Sequence, residues 1–522
     1  MRGVINDVLR WLIGWSIGLA APLFEGAHRL KIALAPLRQL WLRRRYRLDA
    51  RAPIQTWRDE IDRAVQPEDG AFAMTSGSTS NPRRVFYPKR RLRAAKWAYV
   101  DMFVRCCHAA RIRRRSLYVF SSLTSDESLT SLLLEERRLA SYLATLQAPY
   151  RIQFAAALQP LTSVYGATAV RVWVLALSNP GVLYSTNPST LSVFFDDLAA
   201  SWPDHTRLVR DFCQRPAVFS PQIHRIAGRL ASRGGGERLA RIASSEKPLP
   251  IASILPSLEA YICWSGGYLR PFLDRLATHL PRERYQHIPM YSMSTETIET
   301  VAHFRGGAVA FLPMARGVCY EFLEDGADDA VSLLRTAGEL QAGTAYTIVV
   351  SDAFGLKRYQ TGDLFLCRGK VNGLPDLEFQ RRRGVEYSFT GEKITADQLS
   401  IVYARLREEC PSLRADDFLT CVPSYPPGEP IPHYKVALVR GALNDDVRGE
   451  EIAARADRLL AAINPEYDSK RKSGRLGPIR AVRLTHAELA ALVGGGRHAK
   501  SWETQFKFLP LYMDTWESRA ST

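Results

Sequence analysis

The chain has 522 residues. At roughly 100–200 residues per domain, this length allows one large and one small domain, or three domains. Hydrophobic residues make up 46% of the chain and charged residues 24%, which excludes disordered, collagen-like and disulfide-scaffold proteins. The net charge of +17 suits anionic ligands such as ATP. No RNA-binding or helix-turn-helix pattern accompanies this charge, so a nucleic-acid partner is not expected.

The eight cysteines form no CxxC pair and have no regular spacing. Scattered thiols in a large chain usually lie buried as small hydrophobic residues, which fits a reducing compartment. This favours the cytoplasm. No histidine-rich or cysteine-rich cluster is present in the sequence, so a structural zinc site is not expected.

The N-terminal segment, residues 1–50, is basic and apolar. Residues 1–51 contain ten Arg or Lys against three Asp or Glu, and fourteen uncharged residues lie between Arg10 and Glu25. This apolar run is shorter than the ~20 residues that span a bilayer. The stretch from Arg29 to Arg47 mixes Leu, Ile and Trp with basic residues, as in helices that bind anionic lipid surfaces. The alternative, which we favour, is a helix that packs its apolar side on the domain that follows it in the chain and leaves its arginines in solvent. Peripheral membrane contact stays open.

Beyond residue 70, short β-rich runs alternate with helical runs. Buried strands are expected at the apolar runs Ser116–Ser122, Tyr261–Trp264, Ala308–Leu312, Thr344–Val350 and Leu364–Cys367. Helices are expected between them, for example at Thr190–Ser201 and Tyr268–Leu280. A mobile surface loop is expected at Gly234–Gly236. This alternation predicts an α/β architecture.

After Arg383-Gly384 the pattern restarts as a small α+β unit. Thr395 and Gln398 form a predicted capping box, and Leu399, Val402 and Leu406 give the following helix one apolar face. A strand at Tyr434–Val439, a helix carrying Ile452, Leu459, Leu460 and Ile463, and a strand at Ile479–Leu484 complete the unit; Gly494–Gly496 is expected to be a loop. We therefore expect a large domain over 51–384 and a small one over 385–522.

The segment Thr75-Ser76-Gly77-Ser78-Thr79-Ser80 follows a short apolar strand, Ala71–Met74. Small hydroxyl residues around a glycine let backbone and side-chain donors surround phosphate groups closely. Such turns are also common without any ligand, and no GK[ST] follows, so this is not a Walker A loop.

The carboxylates of Glu296 and Asp363 could each bind a ligand or have only a structural role. Glu296 ends the polar run Ser292–Glu296 and could hold Mg²⁺, or it could be an exposed glutamate in a turn. Asp363, in Tyr359-Gln360-Thr361-Gly362-Asp363, is expected between two strands, where it could accept hydrogen bonds from ribose hydroxyls or form an ordinary β-turn.

Lys507 could stabilise charge on a reacting phosphate, or it could be a solvated surface lysine.

These segments occur in the order used by acyl-adenylate-forming enzymes, and together they resemble the acyl-acid amido synthetases, best known as the auxin-conjugating enzymes of plants. The likeness runs from about residue 70 to 510 and includes Trp264-Ser265-Gly266-Gly267, Phe379-Gln380-Arg381-Arg382, Phe389-Thr390-Gly391-Glu392-Lys393, His433-Tyr434-Lys435-Val436 and Gly474-Arg475-Leu476-Gly477-Pro478. The resemblance implies a large α/β adenylate-forming domain with mixed β-sheets and a smaller, mobile α+β domain.

The resemblance also implies roles for individual residues. The nucleotide would be bound by Thr75, Ser76, Gly77, Ser78, Thr79, Tyr291, Ser294, Thr295, Tyr359, Asp363 and Arg382, with Arg382 at the hinge. Mg²⁺ would be bound by Glu296, and Lys507 and Glu296 would act in catalysis. The acyl group would contact Trp264 and Tyr268, although packing in an aromatic core is an equal alternative for both. The adenine-stacking tyrosine of the superfamily is replaced here by Ser292, so either Tyr291 reaches the ring or adenine rests elsewhere.

The implied reaction activates a carboxylic acid with Mg·ATP, releases pyrophosphate, and passes the acyl group to an amine, in this family an amino acid. A rival enzyme would transfer the same adenylate to coenzyme A or a carrier protein. A rival of another class is an inactive scaffold held at membranes by residues 1–50. The sequence names neither the acid nor the amine, and it gives no oligomeric state.

Overall fold

The computed structural model describes residues 2–49, 52–55, 70–74, 84–120, 129, 132, 152–266, 270–290, 293–305, 307–382, 386–390, 392–414, 417–440, 449–493, 508–513 and 515–517. The helices are α1 Arg2–Ala33, α2 Ala35–Arg45, α3 Lys89–Ala109, α4 Ile152–Tyr165, α5 Ala167–Ser178, α6 Pro188–Ala200, α7 Trp202–His205, α8 Arg207–Gln214, α9 Pro221–Leu230, α10 Gly235–Ala243, α11 Ile251–Ile254, α12 Arg270–His279, α13 Ala396–Glu409, α14 Gly449–Ile463, α15 Pro465–Lys472 and α16 His486–Val493.

The strands are β1 Gly70–Met74, β2 Arg84–Pro88, β3 Leu117–Val119, β4 Val182–Tyr184, β5 Ala260–Cys263, β6 Gln286–Pro289, β7 Val301–Arg305, β8 Ala308–Leu312, β9 Val318–Glu324, β10 Ala345–Asp352, β11 Tyr359–Val371, β12 Leu374–Arg382, β13 Glu386–Tyr387, β14 Ile394–Thr395, β15 Phe418–Ser424, β16 His433–Arg440 and β17 Arg480–Thr485. The mixed α/β fold is as expected from the alternating pattern.

A parallel sheet with strand order β3-β4-β5-β6 lies at the centre of the larger part of the chain. Its alternate side chains point to opposite faces. Tyr118, Leu183 and Tyr261 pack against helices α4 to α12, whereas Val119, Val182 and Ile262 pack against α1 and α3. Both faces are covered, as parallel sheets require, and this explains why β3, β4 and β5 are continuously apolar in sequence.

An antiparallel sheet of order β12-β11-β10-β9 follows it in the chain. The strand predicted at Leu364–Cys367 was too short, because these residues are the middle of the thirteen-residue strand β11. Asp363 therefore lies inside a strand and not between two strands. Gly362 has a φ of +76°, and the pairing with β10 shifts register between Thr347 and Val349, so the Thr361-Gly362-Asp363 segment is a β-bulge.

Residues 386–517 contain a unit with its own core. The sheet β15-β16-β17 packs against α13 and α14 through a cluster that includes Leu399, Val402, Leu406 and Leu460. The predicted capping box is confirmed, since Thr395 accepts from the Gln398 amide and the Gln398 side chain accepts from the Thr395 amide. Residues 494–496, predicted to be a loop, lie outside the described residues.

The loop predicted at Gly234–Gly236 is wrong. Gly234, with a φ of +72°, is the N-cap residue of α10, and Gly235 and Gly236 form the first turn of that helix. Gly235 is buried, and a Cβ atom there would lie 3.3 Å from the carbonyl oxygen of Leu177. The glycines therefore permit a helix to begin against α5, which a local pattern does not reveal.

Seven of the eight cysteines are buried and Cys213 is exposed, and all eight are free thiols. This confirms the expectation that they act mostly as small hydrophobic residues. Among the helices of the described residues, none is both long and apolar enough to span a bilayer.

Candidate active site

A hairpin turn follows the last strand of the parallel sheet and holds Glu296. Met293 and Ile298 form an isolated antiparallel bridge. Between them, the Ser294 amide donates to the carbonyl oxygen of Thr297 at 3.0 Å, and the Thr297 amide donates to the Ser294 hydroxyl at 3.2 Å. Glu296 is 4% exposed. The alternative that Glu296 is an exposed turn residue is therefore wrong.

Side chains from β2 and α3 hold this turn from the opposite side. The Tyr87 hydroxyl donates to the carbonyl oxygen of Thr295 at 2.5 Å, and the Arg91 guanidinium donates to the carbonyl oxygen of Glu296. The Tyr99 hydroxyl contacts the Met293 sulfur at 3.3 Å. Burial raises the pKa of Tyr87, so the hydroxyl stays protonated and can donate at all ordinary pH values.

Arg91 connects the turn to the end of β10. Its guanidinium lies 3.8 Å from the carboxylate of Asp352 and 4.5 Å from the ring centroid of Tyr87. Burial raises the pKa of Asp352, and the nearby Arg91 charge opposes that shift. The Asp352 carboxylate also accepts from the Phe354 and Leu356 amides. The Asp352 carboxylate therefore has its hydrogen-bond partners within the protein, and its ion pair with Arg91 holds the Glu296 turn close to the end of β10.

The bulge in β11 places Asp363 on the same antiparallel sheet. Its backbone pairs with that of Arg382, the last residue of β12, and its amide donates to the Thr361 hydroxyl at 3.3 Å. Tyr359, at the start of β11, is 3% exposed and belongs to the hydrophobic core of this sheet. The ribose and hinge positions suggested by sequence are thus neighbours across one strand pair.

A cavity lies between the parallel and antiparallel sheets. This cavity is small, and it is lined by Trp264 and Ser265 after β5, Met290 after β6, Thr300, Phe311 of β8, and Leu377 and Phe379 of β12. Trp264 and Met290 follow the carboxyl ends of adjacent parallel strands. Ligands of open α/β sheets bind at this edge.

Gly266 explains how the Trp264 segment approaches β12. It has a φ of +122°, and a Cβ atom there would lie 2.9 Å from the carbonyl oxygen of Phe379. The rings of Trp264 and Phe379 lie 6.5 Å apart. Glycine is therefore required both by its backbone conformation and by the close contact.

Other expected site residues lie outside the described residues: Thr75, Ser76, Gly77, Ser78, Thr79, Tyr268, Tyr291 and Lys507. Some of their flanks are described. The strand β1 ends at Met74, directly before the first group, and Phe508, directly after Lys507, packs between Phe272 of α12 and Phe418 of β15 with ring centroids 4.9 and 5.0 Å away.

Sequence reasoning missed Tyr87, Arg91 and Asp352, which position the Glu296 turn, and the cavity residues Phe311 and Leu377. Tyr87 and Arg91 donate to the turn from more than 200 positions away, and Asp352 contacts Arg91. No local sequence pattern shows these contacts. Phe379 had a signal, because it begins the Phe379–Arg382 string quoted above.

Part of the antiparallel sheet lies in a segment that matches a known family. Residues 311–382, which include β11 and β12 and therefore Asp363 and Arg382, match the GH3 family central domain. The resemblance to the acyl-acid amido synthetases is confirmed. Over 145 residues, 27% of this chain and 24% of the relative, the sequence is 30% identical to jasmonoyl--L-amino acid synthetase GH3.5 of Oryza sativa subsp. japonica. The chain spans less than a third of the length of the curated relatives it matches.

Two solved structures share the fold over most of the chain. The GH3.15 acyl acid amido synthetase matches with a TM-score of 0.68 and 15% identity, over 90% of this chain and 86% of that protein. A 2-hydroxyisobutyryl-CoA ligase in the postadenylation state, in complex with R3-HIB-AMP, matches with a TM-score of 0.50 and 14% identity, over 90% of this chain and 82% of that one. At these identities the likeness concerns the fold.

Proposed function

We propose that this protein is an ATP-dependent acyl-acid amido synthetase. The observation that carries the proposal is the position of the Trp264 cavity and the buried Glu296 turn at the carboxyl edge of the parallel sheet, facing the antiparallel sheet whose sequence matches the GH3 central domain. An acid bound in the cavity would lie beside the carboxylate-bearing turn. The apolar lining favours an acid with an apolar body.

In the first step, an oxygen of the substrate carboxylate attacks the α-phosphorus of ATP, the bond to the β-phosphate breaks, and pyrophosphate leaves. In the second step, the nitrogen of the amine, an amino acid by analogy with the relatives, attacks the acyl carbon. The bond to AMP breaks and the nitrogen loses its proton. Adenylation converts a poor leaving group into a good one, and Lys507 would stabilise the charge that develops at phosphorus.

The proposed nucleotide contacts follow the sequence motifs. Residues 75–79 would donate to the phosphates, and Asp363 would accept from the ribose hydroxyls. Tyr291, Ser294, Thr295 and Tyr359 would lie around the nucleoside. Tyr359 is buried in the core of the antiparallel sheet and would lie behind the nucleoside. Arg382 would contact the nucleotide near the hinge. Trp264 and Tyr268 would contact the acyl group; the cavity supports this for Trp264.

The residues of the Glu296 turn are chemically suited to bind Mg²⁺. The described residues contain no group of three or more His, Cys, Asp or Glu side chains suited to a metal, whereas Mg²⁺ is commonly bound by one or two carboxylates together with substrate phosphates. Glu296, buried in a turn that is anchored by Tyr87 and Arg91, supplies such a carboxylate. When bound, the ion neutralises negative charge on the phosphate oxygens.

We also propose domains over 51–384 and 385–522, with a rotation near Arg382–Gly384 between the two steps. The separate core of the C-terminal unit supports this division. The cytoplasm is the proposed site of action, since the reaction needs ATP and the eight cysteines are free.

The test is ATP–pyrophosphate exchange with the full chain and a panel of aromatic and aliphatic acids. Exchange that depends on one acid, and that falls at least ~100-fold in Asp363→Ala and in Lys507→Ala, is expected, because each change removes a group that contacts the reacting nucleotide. The matched controls are the exposed residues Asp328 and Lys472, whose alanine variants should retain full exchange. Absence of exchange with every acid, together with no ATP binding, would overturn the proposal in favour of a scaffold.

A second candidate is a ligase that forms thioesters, because the fold is shared with a CoA ligase. The two are separated by supplying the exchange-active acid with either a mixture of amino acids or coenzyme A and analysing products by mass spectrometry. An amide with AMP supports the synthetase. A thioester with AMP supports the second candidate.

A further inference from the structure

The long helix α1 is held firmly against the protein along one face. Ile17 and Ala21 belong to the core shared by α3 and the parallel sheet, and Arg115 donates to the carbonyl oxygen of Gly14. Further along, His28 is 1% exposed and stacks on His303 with ring centroids 5.3 Å apart. These contacts fix which side of the helix faces outward. The expectation that the stretch Arg29–Arg47 covers its apolar side is wrong for Leu30, Leu37, Leu40 and Trp41, which are exposed.

The outward side of α1 is apolar as well. Trp11, Trp15, Leu19 and Leu23 are 65%, 55%, 60% and 77% exposed, and their four-residue spacing places them one above another on one face. Leu30 continues this face with 60% exposure. At 1.5 Å per residue, the row from Trp11 to Leu30 is about 28 Å long. Polar residues would be expected there if this face met water alone.

Helix α2 extends this surface and is anchored equally well. Arg38 donates to the carbonyl oxygen of Met314, and the Gln39 side chain both donates to the carbonyl oxygen of Val318 and accepts from the Tyr320 amide. On the other side, large apolar residues are about half exposed or more, namely Leu37 at 67%, Leu40 at 51% and Trp41 at 53%. We call the exposed residues Trp11, Trp15, Leu19, Leu23, Leu30, Leu37, Leu40 and Trp41 the apolar face.

Basic residues border the apolar face. Residues 29–47 contain seven Arg or Lys and no Asp or Glu. Arg29, Arg44 and Arg45 are exposed; Arg29 lies 3.5 Å from the Glu25 carboxylate, and the Arg45 guanidinium lies 4.9 Å from the ring centroid of Trp41. Tryptophan beside arginine on an exposed apolar helix is the arrangement of proteins that lie in the plane of a membrane surface.

We propose that the apolar face binds the surface of an anionic lipid bilayer, with α1 and α2 lying along it and the arginines contacting the phosphate headgroups. A second copy of the chain suits this face less well, because a symmetric dimer would bring the same arginines of both copies together. The anionic headgroups of a bilayer complement this charge, and no described helix is long and apolar enough to cross the bilayer.

The experiment is flotation of the full chain with vesicles of phosphatidylcholine alone and with about 30 mol% phosphatidylglycerol. Strong binding to the anionic vesicles, weak binding to the neutral ones, and release by salt are expected. A variant with Trp11, Trp15, Leu19 and Leu23 all changed to Gln should bind at least ~10-fold more weakly. The control changes four exposed apolar residues elsewhere to Gln, namely Val164, Val218, Leu333 and Ile401, and should bind as the unchanged protein does.

A second pair of variants separates charge from apolar contact. Changing Arg29, Arg44 and Arg45 to Gln should abolish the preference for anionic vesicles, whereas changing the exposed Arg225, Arg241 and Arg414 should not. The single substitution Leu23→Gln tests the face should the quadruple variant fail to fold. Absence of binding to anionic vesicles at low salt would overturn the proposal. So would control variants that lose as much vesicle binding as the variants of the apolar face and its arginines. So would a dimer in light scattering that the quadruple variant converts to monomer without any vesicle binding.

Discussion

At the scale of single residues, the candidate site depends on contacts between segments far apart in the chain. Glu296 and Asp363 could be proposed from sequence because each lies in a short string of recognisable type. The residues that position them could not be proposed in the same way. Tyr87 is a strand residue and Arg91 a helix residue with ordinary neighbours, and their importance follows from hydrogen bonds to carbonyl oxygens 208 and 205 positions away.

Tyr87→Phe tests whether the Glu296 turn must be held in place. The change removes one buried hydrogen bond, so we expect the free energy of unfolding to fall by about 1 kcal/mol. Acid-dependent ATP–pyrophosphate exchange should fall further than this loss explains, since a displacement of about 1 Å in a catalytic group can reduce the rate ~100-fold. Urea unfolding and exchange assays measure the two effects.

Tyr46→Phe is the matched control, because the Tyr46 hydroxyl donates to the carbonyl oxygen of Gly317 at 2.7 Å, away from the turn. It should reduce stability to a similar extent and leave exchange unchanged. Equal exchange in the two variants would mean that the Tyr87 bond does not position the site.

Glu392, in the Phe389–Lys393 string, is held by hydrogen bonds within the C-terminal unit. It is fully buried, and its carboxylate accepts from the Phe389 and Thr390 amides at 2.8 Å and from the Tyr434 hydroxyl at 2.5 Å. Burial alone would raise the pKa of Glu392, but these donors together hold it below its usual value. The string therefore has a structural role in addition to marking the family.

A pH dependence follows for Glu392→Gln. Because the folded pKa of Glu392 is depressed, its stabilising contribution is present above the unfolded value of 4.5 and is lost as the pH falls through the folded value. At pH 7 we expect the variant to be less stable by about 2 kcal/mol. This difference should shrink below pH ~4.5 in urea unfolding. The exposed Glu466→Gln is the control and should show no such convergence.

At the scale of elements, the sequence predicted what depends on local pattern. The capping box of α13 and the strands β3 and β5 of the parallel sheet are confirmed, because capping residues and continuous apolar runs act over a few positions. The strand β4, Val182–Tyr184, was not predicted. The start of α10 was missed, since Gly234–Gly236 has the composition of a loop and becomes helical through its packing on α5. The outward face of α1 was missed for a related reason. The run between Arg10 and Glu25 is uncharged on every side of the helix, so the sequence does not show which side packs against the rest of the protein.

Gly266→Ala tests the close approach between the Trp264 segment and β12. The substitution places a Cβ atom 2.9 Å from a backbone oxygen at a φ of +122°, so we expect the segment to shift away from Phe379. The Michaelis constant for the acid should rise, because Trp264 and Phe379 both line the cavity. Gly428→Ala provides the control: its φ is +90°, and no heavy atom lies within 4 Å of the added Cβ.

Both glycine variants should lose about 1–2 kcal/mol of stability through backbone strain. A raised Michaelis constant confined to Gly266→Ala would support the cavity as the acyl site. An unchanged constant in both variants would place the acid elsewhere.

At the scale of the whole molecule, the small unit contacts the large one through an aromatic cluster. Phe272 of α12 lies 4.9 Å from both Phe418 and Phe508. Nearby, Arg275 pairs with Asp196, and the His279 ring lies 2.7 Å from the same carboxylate. Burial lowers the pKa of His486, which stacks edge-on to Phe508, to about 3, so it remains neutral at physiological pH. A rotation of the small unit between two reaction steps would have to separate this cluster.

Phe272→Ala should therefore have two separable consequences. Truncating a buried phenylalanine lowers the free energy of unfolding by about 3–5 kcal/mol. Because the cluster stabilises one arrangement of the two units, its loss should also change the ratio of amide formation to ATP–pyrophosphate exchange. Phe219→Ala is the control, since Phe219 packs on Tyr165 and Phe212 within the helical layer, and it should lower stability without altering that ratio. If both variants leave the ratio unchanged, the cluster does not separate during turnover, and this result would contradict the proposed rotation of the small unit between the two steps.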